Sequence, residues 1–169
     1  MHDHDMVHGE SSPLEYVKFG LVLSTVLLLS IALNFKFGHS GWQDYSRWFM
    51  GVFFVVFAGF KFAGYSMFAM MFAGYDVVAK RFRVYAYAYP FIELGLGVLY
   101  VVNVLPLARD IATVIVMGVS LVGVTHEIKK RSGVHCACLG NIIKLPLSTV
   151  SLVEDAGMGL MAVAMLLLR

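Results

Sequence analysis

Five long apolar stretches alternate with shorter polar connectors along this chain. A helix needs about 20 mostly apolar residues to cross the hydrocarbon core of a bilayer, so the alternation predicts membrane-spanning helices. The first, "VKFGLVLSTVLLLSIALNF" over 17–35, has no charge between Lys18 and Lys36. The connector "KFGHSGWQDYSR" follows, and Trp42, Tyr45 and Trp48 suit an aromatic belt at the membrane interface. A second helix is expected from 48 to about 63, with Lys61 near its end. An amphipathic segment near the interface then continues to about 83 and closes on the basic cluster "YDVVAKRFR". The spacings Gly59 to Ala63 and Ala69 to Ala73 offer small-residue faces for close helix contact.

The third span, 85–104, opens "YAYAYPFIELGLGVLYVV". Pro90 lies near its first turns, where neighbouring helices tolerate a kink, and Glu93 falls inside the apolar run. Tyr85, Tyr87 and Tyr89 read as a second interfacial belt. "NVLPLARD" is a tight turn into a fourth span over 111–125, and a fifth is expected over 148–168 with Glu154 and Asp155 in its early part. The fold class is therefore all-α: a polytopic membrane protein with a bundle of about five transmembrane helices, a four-helix core plus an N-terminal helix. Residues 1–14 form a His-rich polar tail, and 15–169 a single transmembrane helical domain.

Composition strengthens this reading. Of the 169 residues, 59% are hydrophobic and 14% charged, with a mean hydropathy of +0.77. Soluble domains hold about 25% charged residues, so too few charges are present here to cover a surface in water. The net charge of +2 carries no nucleic-acid signal; the basic residues cluster beside apolar runs, as membrane flanks do. The N-terminus is acidic and His-rich, and no cleavable signal peptide is expected.

An odd number of spans puts the termini on opposite faces. One face collects Lys18, Lys80, Arg81, Arg83, Lys129, Lys130, Arg131 and Lys144; the other collects Lys36, Arg47, Arg109, Arg169 and, by position, Lys61. The positive-inside rule then places the N-terminus and the connector after the fourth span on the cytoplasmic side.

That connector, "HEIKKRSGVHCACLGNIIKLP", contains both cysteines of the chain, Cys136 and Cys138, directly after His135. Thiolates are nucleophiles and metal ligands. Two at this spacing select soft ions such as Cu(I), which accepts two or three ligands, with His135 as a third donor. The His-rich tail supplies His2, His4 and His8 as further donors. A tetrahedral zinc site would need four ligands, more than the connector offers. The same two cysteines can instead cycle as a thiol–disulfide pair, or be small buried side chains beside a turn.

Ionisable groups inside spans are costly and are paired or functional. Lys61 and Glu93 lie on consecutive spans at similar expected depth, which predicts an ion pair; a proton or cation relay is the alternative. Glu154 and Asp155 are expected on the side of the last helix nearest the cysteine connector. There they would raise a thiol's pKa, ligate a metal weakly or cap helix N–H groups.

The order of these residues resembles the MauE/DoxX family of redox-associated membrane proteins. Lys61 closes a helix, Phe68, Phe72 and Tyr75 follow, and Pro90, Glu93 and Leu94 fit that family's Pro-x-x-Glu-Leu opening. Cys136, Cys138 and Gly140 match its Cys-Gly-Cys-Phe-Gly signature, and the resemblance covers about 48–168. Ala137 and Leu139 depart from that signature, and Glu154–Asp155 stand where an Arg-Asn pair is usual. The resemblance implies thiol chemistry at a membrane surface, linked in MauE proteins to disulfide formation during methylamine dehydrogenase maturation. "YPFIELGLG" and "CACLGN" also look like membrane proteins associated with heavy-metal-binding domains.

Three functions are open on this reading: binding or transfer of a soft metal such as Cu(I), a thiol–disulfide relay for maturing a partner protein, or a small structural subunit of a larger membrane complex. The expected partners are the lipid bilayer and a metallochaperone, a redox protein or such a complex; no nucleic acid and no organic cofactor are expected. The chain has no nucleotide loop, haem-attachment motif or nucleophile–base pair, so it does not read as an enzyme. The implied location is a bacterial inner membrane.

Overall fold

The computed structural model of the protein describes residues 13–37, 41–129 and 152–168. Every regular element among them is helical: α1 Pro13–Phe37, α2 Trp42–Ala63, α3 Tyr65–Tyr75, α4 Val77–Arg81, α5 Arg83–Val102, α6 Pro106–Lys129 and α7 Gly157–Leu167. One π-helical turn, Leu152–Ala156, leads directly into α7. The segments Tyr16–Phe37, Trp42–Ala63, Arg83–Val102 and Pro106–His126 are each long and apolar enough to cross a membrane. The outward surface is itself apolar: Leu28 is 67% exposed, Phe35 77% and Val84 80%. Hydrocarbon, not water, suits such a surface. The protein is an all-α polytopic membrane protein.

The four long helices α1, α2, α5 and α6 alternate in direction. Gly51 on α2 lies against Tyr100 and Val101, and Gly97 on α5 against Phe54 and Val55, which fixes α2 and α5 as antiparallel neighbours. The tight link after α5 reverses the chain into α6, and Asn103 takes the left-handed conformation there, at φ 59°, that asparagine tolerates at a helix end. Along α6, Thr113 meets Tyr100, Ser120 meets Asp155 and Gly123 meets Asp76. α7 therefore returns antiparallel to α6, and it finishes beside the start of α2, where Gln43 donates to the Leu168 carbonyl. α1 ends near Trp48, with Phe37 against that ring, and it buries a stripe of Phe19, Val26, Ser30 and Asn34. Those positions share one helix face, with Val22, Leu23 and Leu33 partly buried beside them, while Leu21, Leu27, Leu28, Leu29 and Phe35 are exposed.

Several sequence expectations are corrected. The spans are α1 13–37, α5 83–102 and α6 106–129, against 17–35, 85–104 and 111–125, because polar first and last turns still satisfy helical hydrogen bonds. The π turn and α7 form one continuous helical run over 152–167, inside the expected 148–168 span, whose first residues lie outside the described ones. The segment after α2 is two short helices rather than one stretch, and α3 buries Phe68, Phe72 and Tyr75 while Met67 and Met70 are exposed, with Phe68 and Phe72 packed on Tyr89 of α5. Gly59 and Ala63 face outward, and the close contact is made at Gly51 and Gly97 instead. Trp48 and Tyr89 are interior rather than belt residues, while Trp42, Tyr45 and Tyr87 are exposed.

Asp76 separates α3 from α4. Its Oδ1 accepts from Val78 N at 2.9 Å and Ala79 N at 2.8 Å, an N-cap that starts the short helix. Burial pushes its carboxyl above the usual carboxylate range, against the two backbone donors and nearby Lys80. A raised native pKa means the folded state holds the proton to higher pH, so this group's contribution to stability falls as pH rises from its unfolded value through its folded one. Asp76→Ala is expected to cost about 1 kcal/mol through the lost cap. Asp76→Asn keeps the cap acceptor and should gain relative to wild type as pH rises from acid to neutral. Denaturation curves over that pH range check both.

Candidate functional site

The centre of the bundle holds charges that its surroundings cannot solvate. Lys61, in the last turn of α2, has no exposed surface, and neither has Glu93, midway along α5. The antiparallel register of these helices brings the two side chains to one depth. The Lys61 ammonium donates to Glu93 Oε1 at 2.7 Å and Oε2 at 2.6 Å, and it also donates to Glu154 Oε1. An ammonium has three N–H donors, and three carboxylate oxygens receive them.

The aromatic residues of α3 and α5 complete the enclosure. Lys61 Nζ lies 5.8 Å from the ring centre of Phe68 and 5.3 Å from that of Tyr89. Both distances are within cation–π range, which offsets part of the loss of water around the ammonium. Phe72 packs on Tyr89, with ring centres 4.4 Å apart, and on Phe68 at 5.1 Å. The Phe-rich α3 thus acts as a dry wall over the ion cluster.

Glu154 reaches Lys61 because of the π-helical turn. Glu154 and Asp155 are adjacent, yet both are buried and serve different helices: Glu154 meets Lys61 of α2, and Asp155 Oδ2 accepts from Ser120 Oγ of α6 at 2.8 Å. A π turn widens the helix and is common where side chains must be redirected. Both acids point into the bundle; the cysteine connector whose side they were expected to share lies outside the described residues. The described chain resumes at Leu152, two residues before Glu154.

The opposite end is held by arginines. Arg47 Nη1 donates to the carbonyls of Tyr100 at 3.2 Å and Val101 at 3.1 Å in the last turn of α5; the Tyr100 carbonyl also accepts from Asn103 N at 3.3 Å. Arg109 pairs with Asp110 at 3.1 Å and donates to Asn103 Oδ1 at 2.9 Å, while lying over the Tyr100 ring.

The structure brings together Lys61, Glu93 and Glu154, and places Asp155 beside them on Ser120. The Lys61–Glu154 contact spans a sequence separation of 93 and had no signal in the sequence beyond a charge count. One buried lysine faced three acidic residues in apolar runs, so further carboxyls needed partners. The roles of Phe68, Tyr89 and Ser120 were not foreseen. Cys136, Cys138, His135, His2, His4 and His8 lie outside the described residues. Among the described residues, no group of three or more His, Cys, Asp or Glu side chains is placed to hold a metal ion.

A membrane-embedded helical bundle closed around a dry lysine–carboxylate cluster defines the class: an integral membrane protein whose charges tie its helices together. A sequence model of the family described as methylamine utilisation protein MauE matches residues 43–168, which takes in every helix except α1 and includes Lys61, Glu93, both cysteines, Glu154 and Asp155. The chain belongs to the MauE family. No curated protein and no solved structure matches it.

Proposed function

We propose that the protein binds a soft metal ion, Cu(I) first, through the thiolates of Cys136 and Cys138 on the cytoplasmic face of a bacterial inner membrane. His135 is the nearest further donor, followed by His2, His4 and His8 of the tail. The observation that carries this reading is the charge at one end of the bundle. α6 runs toward the end where α4 and the start of α5 present Lys80, Arg81 and Arg83, and Lys129 is its last residue. A basic end favours the cytoplasm, where thiols stay reduced, and reduced paired thiolates prefer soft ions. The ion cluster then serves as the anchor of the connector that carries the ligands.

The family match favours a second reading, in which Cys136 and Cys138 exchange disulfides with a partner protein during its maturation. In that reaction a disulfide between them would accept two electrons from the partner's dithiol, and the pair would need an oxidising face to be restored.

Two measurements separate these readings. With single-cysteine variants in intact cells, a membrane-impermeant thiol reagent is expected to leave Cys136 and Cys138 unlabelled until the membrane is opened. Protein purified under reducing conditions is expected to hold copper that Cys136→Ser and Cys138→Ser lose. Labelling from outside, or equal metal content in wild type and variants, overturns the metal reading.

A further inference from the structure

A cavity of about 470 Å³ opens between α3, α4 and the start of α5, and none of the ion-cluster residues lines it. Its floor is formed by small side chains of α3, Ala69, Ala73 and Gly74, and its polar edge by Lys80 and Arg83, with Tyr87 at the side. The volume is within the range of small-molecule sites, about 300–1,000 Å³. Gly74 contributes directly to the space, because a Cβ placed there would meet no atom within 4 Å.

The surface around the cavity has two chemistries. Lys80, Arg81 and Arg83 cluster in and beside α4, while Met70 is 69% exposed, Phe82 64% and Val84 80%. Two cations therefore edge a cleft whose surroundings are apolar and outward-facing. A free anion would match the cations and leave the apolar surround unused; a neutral lipid would do the reverse. An anionic amphiphile matches both, because basic side chains beside a bilayer attract anionic headgroups while acyl chains cover the apolar surface.

We propose that this cleft is a binding site for one anionic phospholipid, with its phosphate held by Lys80 and Arg83 and its acyl chains along the exposed face of α3 and the start of α5. The site joins α4 to α5 at the basic end of the bundle, next to the Asp76 cap.

The test titrates purified, delipidated full-length protein with phosphatidylglycerol, phosphatidylcholine and inorganic phosphate, with bound molecules read by native mass spectrometry. Wild type is expected to bind phosphatidylglycerol at least roughly tenfold more tightly than phosphatidylcholine, the order that two basic side chains near an anionic headgroup supply. The Lys80→Gln/Arg83→Gln double variant should lose that preference, and Arg81→Gln, outside the cavity, should keep it. Gly74→Trp retains the charges and fills the space; it should weaken phosphatidylglycerol binding whether or not the double variant folds. Equal binding of the two lipids by wild type overturns the proposal. So does an Arg81→Gln loss as large as that of the double variant, an unchanged Gly74→Trp, or displacement of phosphatidylglycerol by equimolar inorganic phosphate.

Discussion

Lys61→Met is expected to destabilise the protein by about 3–5 kcal/mol, the cost of breaking a buried ion pair by removing one partner. The side chain has similar length and fits the same space, so little of the loss comes from a cavity. What remains is Glu93 and Glu154, both without exposed surface beyond 1% and with their shared ammonium gone. The loss reaches three helices at once, since Lys61 belongs to α2, Glu93 to α5 and Glu154 to the turn before α7. The triple variant Lys61→Met/Glu93→Gln/Glu154→Gln removes the unpaired charges and is expected to recover most of the lost stability. Unfolding of wild type, single and triple variants in mild detergent measures the difference. A triple variant as unstable as Lys61→Met would assign the loss to packing rather than charge.

Gly123→Ala is expected to cost about 3 kcal/mol, the upper part of the range for overpacking a close contact. A Cβ at Gly123 would come within 2.9 Å of Asp76 Cα and 2.9 Å of the Tyr75 carbonyl oxygen, and within 3.2 Å of Val77 N. All three are backbone atoms, so no side-chain rotation relieves the clash. α6 would have to move away from the α3–α4 junction, taking Ser120 with it. Gly118→Ala, five residues earlier on the same helix, meets nothing within 4 Å and should stabilise by roughly 0.5–1 kcal/mol through lower backbone entropy in the unfolded chain. Opposite signs for one chemical change on one helix isolate the packing contact. If Gly123→Ala matched Gly118→Ala, α6 would not be seated against α4 as described.

The cluster's completeness bears on the cysteine connector. Glu154 is held by an ammonium whose other donors go to α5, and Asp155 by a hydroxyl of α6. The chain that returns from the connector is thus fastened to three helices within its first turn.

The apolar runs by themselves determined the class of protein. Their length, their scarcity of charge and the positions of Lys61 and Glu93 on consecutive long apolar spans were enough for a polytopic helical bundle with that pair at one depth, and the motif order was enough for the family. Such features are local: a helix follows from about 20 residues of composition and pattern. Tertiary structure alone decided the rest. It drew Glu154 to Lys61, turned Asp155 toward Ser120, chose Gly51 and Gly97 over Gly59 for close approach, and took Trp48 and Tyr89 inside. Each depends on how helices far apart in sequence rotate and slide against one another. In a chain apolar on nearly every helix face, residue pattern does not distinguish the lipid-facing side from the inner one; packing does.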